Sequence, residues 1–269
     1  ALLPGGLAPI LPARNYQHAV LANYHSPHPS YQDGSMLAGQ NLSDLNLSAV
    51  HLNRSDMRRC ILDGADLRGA YLIGAEMSNA SLMNANLTGA NLVLSDLFGT
   101  NFTGADLTGA NLQQAIISQA NLSGSKLDNA NLMASDLNGS NMNDAGLVFA
   151  YARRTMLRNA SLVRANFSGA SLVGANLIYA DLFEADLSDA DLSDAELHNA
   201  AFIDAKLNQV DASGACMENS DLRGADLTGV RLVETNLVSS NMKGLNMHRA
   251  IAMSAKMSWA DLSDSRLSA

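Results

Sequence analysis

From Leu42 to Leu267 every fifth residue is a large apolar side chain or, at three places, Ala, which makes 46 consecutive centres. Of these, 32 are Leu, 7 Met, 3 Phe and 1 Ile. Two residues before each centre the chain is small, with 28 Ala, 8 Ser and 3 Thr among the 46. Asn or Asp holds 26 of the 46 positions immediately before the centre, and 15 of the 20 glycines fall two residues after it. No insertion or deletion breaks the spacing. A period of five suits neither regular element. On an α-helix each step of five advances 500°, so successive centres form no stripe. On a flat strand an odd period sends successive centres to opposite faces. The pattern therefore predicts a backbone that turns a corner in every unit, so that each centre faces one interior. A single unit is too small to bury its own apolar side chain, and stacked units form a solenoid with a continuous core.

Stretches such as Ala85-Asn86-Leu87-Thr88-Gly89 followed by Ala90-Asn91-Leu92, and Ala185-Asp186-Leu187 followed by Ala190-Asp191-Leu192, carry a specific likeness. The chain resembles the pentapeptide repeat proteins over residues 37–269. The resemblance implies an all-β fold: a right-handed quadrilateral parallel β-helix with four units per coil, about 11–12 coils in all. At a strand spacing near 4.8 Å, such a rod is about 55 Å long. Leu87, Leu92, Leu107, Leu112, Leu187 and Leu192 then belong to its core. The small residue before each centre lines a corner where backbones approach closely. The Asn or Asp suits hydrogen bonds to neighbouring backbone. The position two after the centre is suited to a turn residue with φ > 0. Residues 1–36 hold all five prolines and read as an irregular N-terminal segment that caps the first coil. Ala1–Pro12 is apolar but lacks the basic start of a signal peptide. The repeat runs to Leu267 without a terminal helix, which suggests either an end-to-end homodimer through the C-terminal coil near Trp259 or a truncated chain.

With 20 residues per coil, outward positions sort onto four sides, each named here by its first centre. Large apolar residues favour two of them. The Leu52 side carries Tyr71, Ile73, Val93, Leu94, Met133 and Tyr151, and the Met57 side carries Phe98, Ile116, Met156, Tyr179 and Trp259. Apolar area gathered on one surface marks a binding site, so Tyr71, Ile73, Val93, Leu94, Met133, Tyr151, Phe98 and Tyr179 are the candidate protein-binding residues. The Leu47 side has only Val148 and Phe149.

Charge modifies this picture. The chain carries 17 basic and 26 acidic residues, a formal net charge of −9, which argues against direct nucleic-acid binding. The Leu42 side alone sums to about −6. Along the axis, Arg153, Arg154 and Arg158 form a basic belt next to an acidic belt that includes Asp186, Asp189, Asp191 and Asp194. These seven are candidates for electrostatic docking.

No catalytic constellation stands out, because the repeat itself places carboxylates everywhere. His25 and His28 have a His-x-x-His spacing without further ligands. Cys60 points inward and Cys216 outward, 156 residues apart, too far for a bridge. No catalytic, cofactor or metal site is expected. No apolar run is long enough to span a bilayer, and the expectation is a soluble protein, cytoplasmic or a secreted effector. Two functions follow. One is a non-enzymatic protein–protein interaction scaffold, in the manner of a bacterial effector, that uses the outer faces of a rigid rod. The other is implied by the resemblance: a protein that imitates DNA and binds DNA gyrase or topoisomerase, as the quinolone-resistance members do.

Overall fold

The computed structural model describes residues 33–266. Within that span one pattern repeats without a break: a single bridging residue, the inward centre, two turn residues and an inward small residue. Nearly every turn closes with a hydrogen bond from the small residue's N–H to the carbonyl of the preceding centre, as from Ala65 to Leu62 at 3.0 Å; Leu245 N–H instead donates to Ser265 Oγ one coil on, at 3.2 Å. The third residue of every turn has positive φ, from Gly34 at 81° to Asp264 at 60°. This is the conformation that a type II turn demands at that position.

The bridges are all parallel, and each joins a residue to the one 20 positions later, as in Asn86↔Asp106 and Asp186↔Lys206. Twenty residues hold four units, so the coil has four sides. The 234 described residues make just under twelve coils. The expected all-β architecture takes a sparser form than a ladder of strands. Bridges are isolated single residues, because two of every five residues are spent in a turn. Each bridge is a pair of backbone bonds, such as Leu87 N–H to the Asp106 carbonyl at 2.7 Å and Asp106 N–H to the Ala85 carbonyl at 2.9 Å, and further bonds join the turns of successive coils, as from Gly89 N–H to the Thr108 carbonyl at 3.0 Å.

The core is a single apolar column. Leu87, Leu92, Leu107, Leu112, Leu187 and Leu192 are all fully buried in it, with the small residues Ala85, Ala90 and Ala105 alongside. Polar residues at the small position are also buried, and their hydroxyls donate to backbone carbonyls. Ser95 bonds Leu92 at 2.7 Å within its own turn, and Thr155 bonds Leu132 at 2.8 Å in the coil before. Such pairing removes the penalty of burying a hydroxyl. Phe102, Phe167 and Phe202 fit the same column.

The repeat begins earlier than its sequence signal. Asp33 and Gly34 already form a turn and Met36 bridges Asp56, so Asp33–Met36 belong to the stack and not to an irregular segment. The reason is local: Gly34 supplies the turn at φ 81° although the unit lacks an Asn or Asp before its centre. The proposed cap otherwise lies outside the described residues, as do His25 and His28. In the last described coil Met257 and Leu262 are half-buried against the column.

Candidate functional site

The surface is built from three outward positions per unit: the bridging residue, and the two turn residues after the centre. Where the bridging residue is Asn or Asp, its side-chain oxygen accepts the N–H of the first turn residue, as Asp96 does from Phe98 at 3.0 Å. Where it is something else, an Asn or Asp one coil earlier can take over. Asn53 accepts from Ile73 N–H at 2.9 Å in the unit whose bridging residue is Tyr71. Asn138 does the same for Arg158 in the unit of Met156, at 2.8 Å. This relay frees bridging positions for bulky outward residues, and the sequence period of five does not reveal it.

Seven of the eight candidate binding residues separate into two groups. Tyr71, Ile73, Val93, Leu94 and Phe98 lie on adjoining coils, and Ile116 joins them because Asp96, two residues before Phe98, bridges it. Leu94 is 58% exposed, Phe98 44% and Ile116 46%, while Ile73 and Val93 are half-buried between them. The Tyr71 ring stacks on His51 one coil earlier, with centroids 4.3 Å apart, which holds it in place. Tyr151 and Tyr179 form a second group farther along, at 46% and 55% exposure, with Met156 beside them. Met133 lies between the groups and is half-buried. Phe149, on the Leu47 side, lies across the coil after it: a Cβ at Gly169 would collide with its ring.

The seven docking residues also divide. Arg153, Arg154 and Arg158 are exposed and have no ion pair among the described residues, and neither do Asp191 and Asp194. Asp186 and Asp189 sit on the Leu47 side, away from the arginines. Asp186 is engaged by Lys206 at 2.9 Å. Burial works to raise its carboxyl, but hydrogen bonds from Ser188 and Lys206 outweigh that and hold it below the usual range. On the Leu42 side, ion pairs Arg164–Asp144, Arg223–Asp221 and Lys243–Asp264 offset three of its acids. Elsewhere Arg58 makes a two-pronged bond to Asp56, which holds that buried carboxyl low. A shallow hollow near the first coils is lined by Ala38, Gly39, Arg58, Arg59, Ser78 and Asn79.

Among the described residues, no cluster of His, Cys, Asp and Glu could hold a metal ion, and no helix is long and apolar enough to cross a membrane. His198 Nδ1 is buried and has no hydrogen-bond partner among the described residues, while its Nε2 lies 3.8 Å from Glu218.

The sequence profile named "Pentapeptide repeats" matches residues 41–79, 75–114, 115–148, 149–189, 190–229 and 231–268. The chain belongs to the pentapeptide repeat family. Solved pentapeptide repeat structures are similar to it. HetL, involved in heterocyst differentiation regulation in the cyanobacterium Nostoc sp. strain PCC 7120, is 24% identical over 88% of this chain and 92% of its own, with a TM-score of 0.36. QnrB1, a plasmid-mediated fluoroquinolone resistance protein, is 15% identical over 87% of this chain and 92% of its own, with a TM-score of 0.26. No curated protein matches the sequence.

Proposed function

We propose that this pentapeptide repeat protein is a non-enzymatic scaffold, a right-handed quadrilateral β-helix whose Leu52 and Met57 sides bind another protein. The observation that carries the reading is the patch of Tyr71, Leu94, Phe98 and Ile116, four large apolar side chains exposed on adjoining coils. Leu94 strengthens it. It stands at φ 59°, a left-handed conformation that disfavours a branched apolar residue and favours Gly or Asn. A leucine in the costlier backbone state, displayed to solvent, is accounted for by what it touches outside the chain.

The test is affinity capture with the full chain and with a variant carrying Tyr71→Ser, Leu94→Asn and Phe98→Ser. None of the three side chains is in the core, so the circular-dichroism spectrum should not change. A protein retained by the wild type should be lost at least about tenfold from the variant, as expected when central apolar anchors are removed. Equal retention of every captured protein by both would count against the patch.

The DNA-imitating alternative rests on the Leu42 side, where Asp181, Glu184 and Asp204 follow one another with no cation between them, flanked by Arg164 and Arg223. The three ion pairs on that side weaken it. A gyrase supercoiling reaction that micromolar protein leaves unchanged removes it.

A further inference from the structure

Arg154 and Asp194 occupy the same turn position 40 residues apart, which is two coils. The bridges Tyr151↔Ser171↔Asp191 and Met156↔Asn176↔Glu196 fix the same two-coil offset for their neighbours. The Met57 side, with the edge it shares with the Leu52 side, therefore has three levels here. The first level carries Arg153, Arg154, Met156 and Arg158. The third carries Asp191, Asp194 and Glu196. The level between them has no charged residue on this face: Val173 and Ile178 are half-buried, Asn176 donates to Glu196 at 2.7 Å, and Tyr179 projects from φ 60°. Neither the three arginines nor the three acids have an ion pair among the described residues, although seven of the chain's other cations do.

We infer that this face binds a second copy of the same chain, side by side and antiparallel. A two-fold axis across the rod at the level of Asn176 and Tyr179 reverses the order of levels. The basic level of each copy then faces the acidic level of the other, about 10 Å from basic to acidic level within one chain at the coil spacing. Arg154 meets the partner copy's aspartate at position 194, and the same contact recurs on the other side of the axis, as an isologous interface requires. The apolar strip of Val173, Ile178 and Tyr179 meets itself at the centre. A parallel arrangement would place arginine against arginine, so the charges select the antiparallel one. The alternation makes the face self-complementary, and no described lysine or arginine lies within one coil of the acids on this face.

The interface is separate from the patch of Leu94 and Phe98, and its test does not depend on that reading. Sedimentation velocity of the full chain at low salt should show a dimer, twice 28.4 kDa, that dissociates toward monomer in 0.5 M salt. Arg154→Asp and Asp194→Arg should each weaken self-association at least about 30-fold, because each reversal creates two like-charge contacts per dimer. An equimolar mixture of the two variants should dimerise again, since one contact of the mixed dimer is then the same ion pair with its charges exchanged and the other remains native. Trp259→Ser, at the far end of the rod, should leave the dimer intact. A wild type that stays monomeric at 0.2 mM overturns the inference. So does a dimer that either reversal leaves unchanged, or a mixture that fails to reassociate.

Discussion

Among the described residues, thirty other than glycine hold positive φ at the third turn position. Asn and Asp account for many of them and tolerate the left-handed region best. Leu94, Phe149, Tyr179 and Trp259 do not, and all four are exposed. Their placement is not a demand of the fold, since glycine serves the same position in seventeen turns. At the same scale the two cysteines separate sharply. Cys60 is buried, its thiol donates to the Leu37 carbonyl at 2.9 Å, and burial pushes its pKa up to about 11. Cys216 is half-exposed. The thiolate is the reactive form, so the folded protein at pH 8 should take one iodoacetamide label per chain, on Cys216, and two after unfolding. Mass spectrometry reads the sites directly; labelling of Cys60 in the folded protein would contradict the core position.

The element is the five-residue unit, and most of its logic is readable in any single copy. Ala85, Asn86, Leu87, Thr88 and Gly89 each occupy the role their chemistry suggests: small and inward, turn-bonding, core, outward, left-handed. Three units add an Arg two residues after the Asp, as in Asp56-Met57-Arg58, Asp66-Leu67-Arg68 and Asp221-Leu222-Arg223, and the guanidinium holds each carboxyl below its usual range. A depressed carboxyl contributes stability that is complete above its unfolded value, near pH 4, and is lost as pH falls through the lower folded value. Thermal melts should therefore show a Tm that is steady from pH 7 to about 5 and declines below about 4. Asp56→Asn should lower Tm at neutral pH, and its gap from wild type should shrink as pH falls through the carboxyl's depressed folded value; a gap independent of pH would mean the ion pair contributes nothing. What a single unit does not show is the relay from the coil before. Tyr71 and Met156 look like failures of the Asn/Asp rule until Asn53 and Asn138 are seen to serve Ile73 and Arg158.

At the scale of the whole molecule the rod is a chain of nearest neighbours, each coil stabilised by the one on either side. A core deletion in the middle disturbs two interfaces, whereas one near the last described coil acts where the column is already half-open, at Met257 and Leu262. Leu137→Ala should cost about 2–5 kcal/mol, and Leu262→Ala distinctly less, by denaturant titration; equal losses would argue that the last coils are as firmly packed as the middle.

The sequence by itself determined the unit, the inward and outward positions, and the family, because those depend on sterics and turn chemistry within five residues. The leucines that the spacing turns inward, such as Leu87 and Leu192, are fully buried. The tertiary structure alone decided which outward residues are engaged. Asp186 has Lys206, Asp144 has Arg164, and Arg154 has no ion pair among the described residues, since each outcome depends on the side chain 20 residues away on the same side. Local rules repeat every five residues, but electrostatics and hydrogen bonding act across coils. The surface pattern therefore exists only once the stack has brought residues distant in sequence to within a few ångströms.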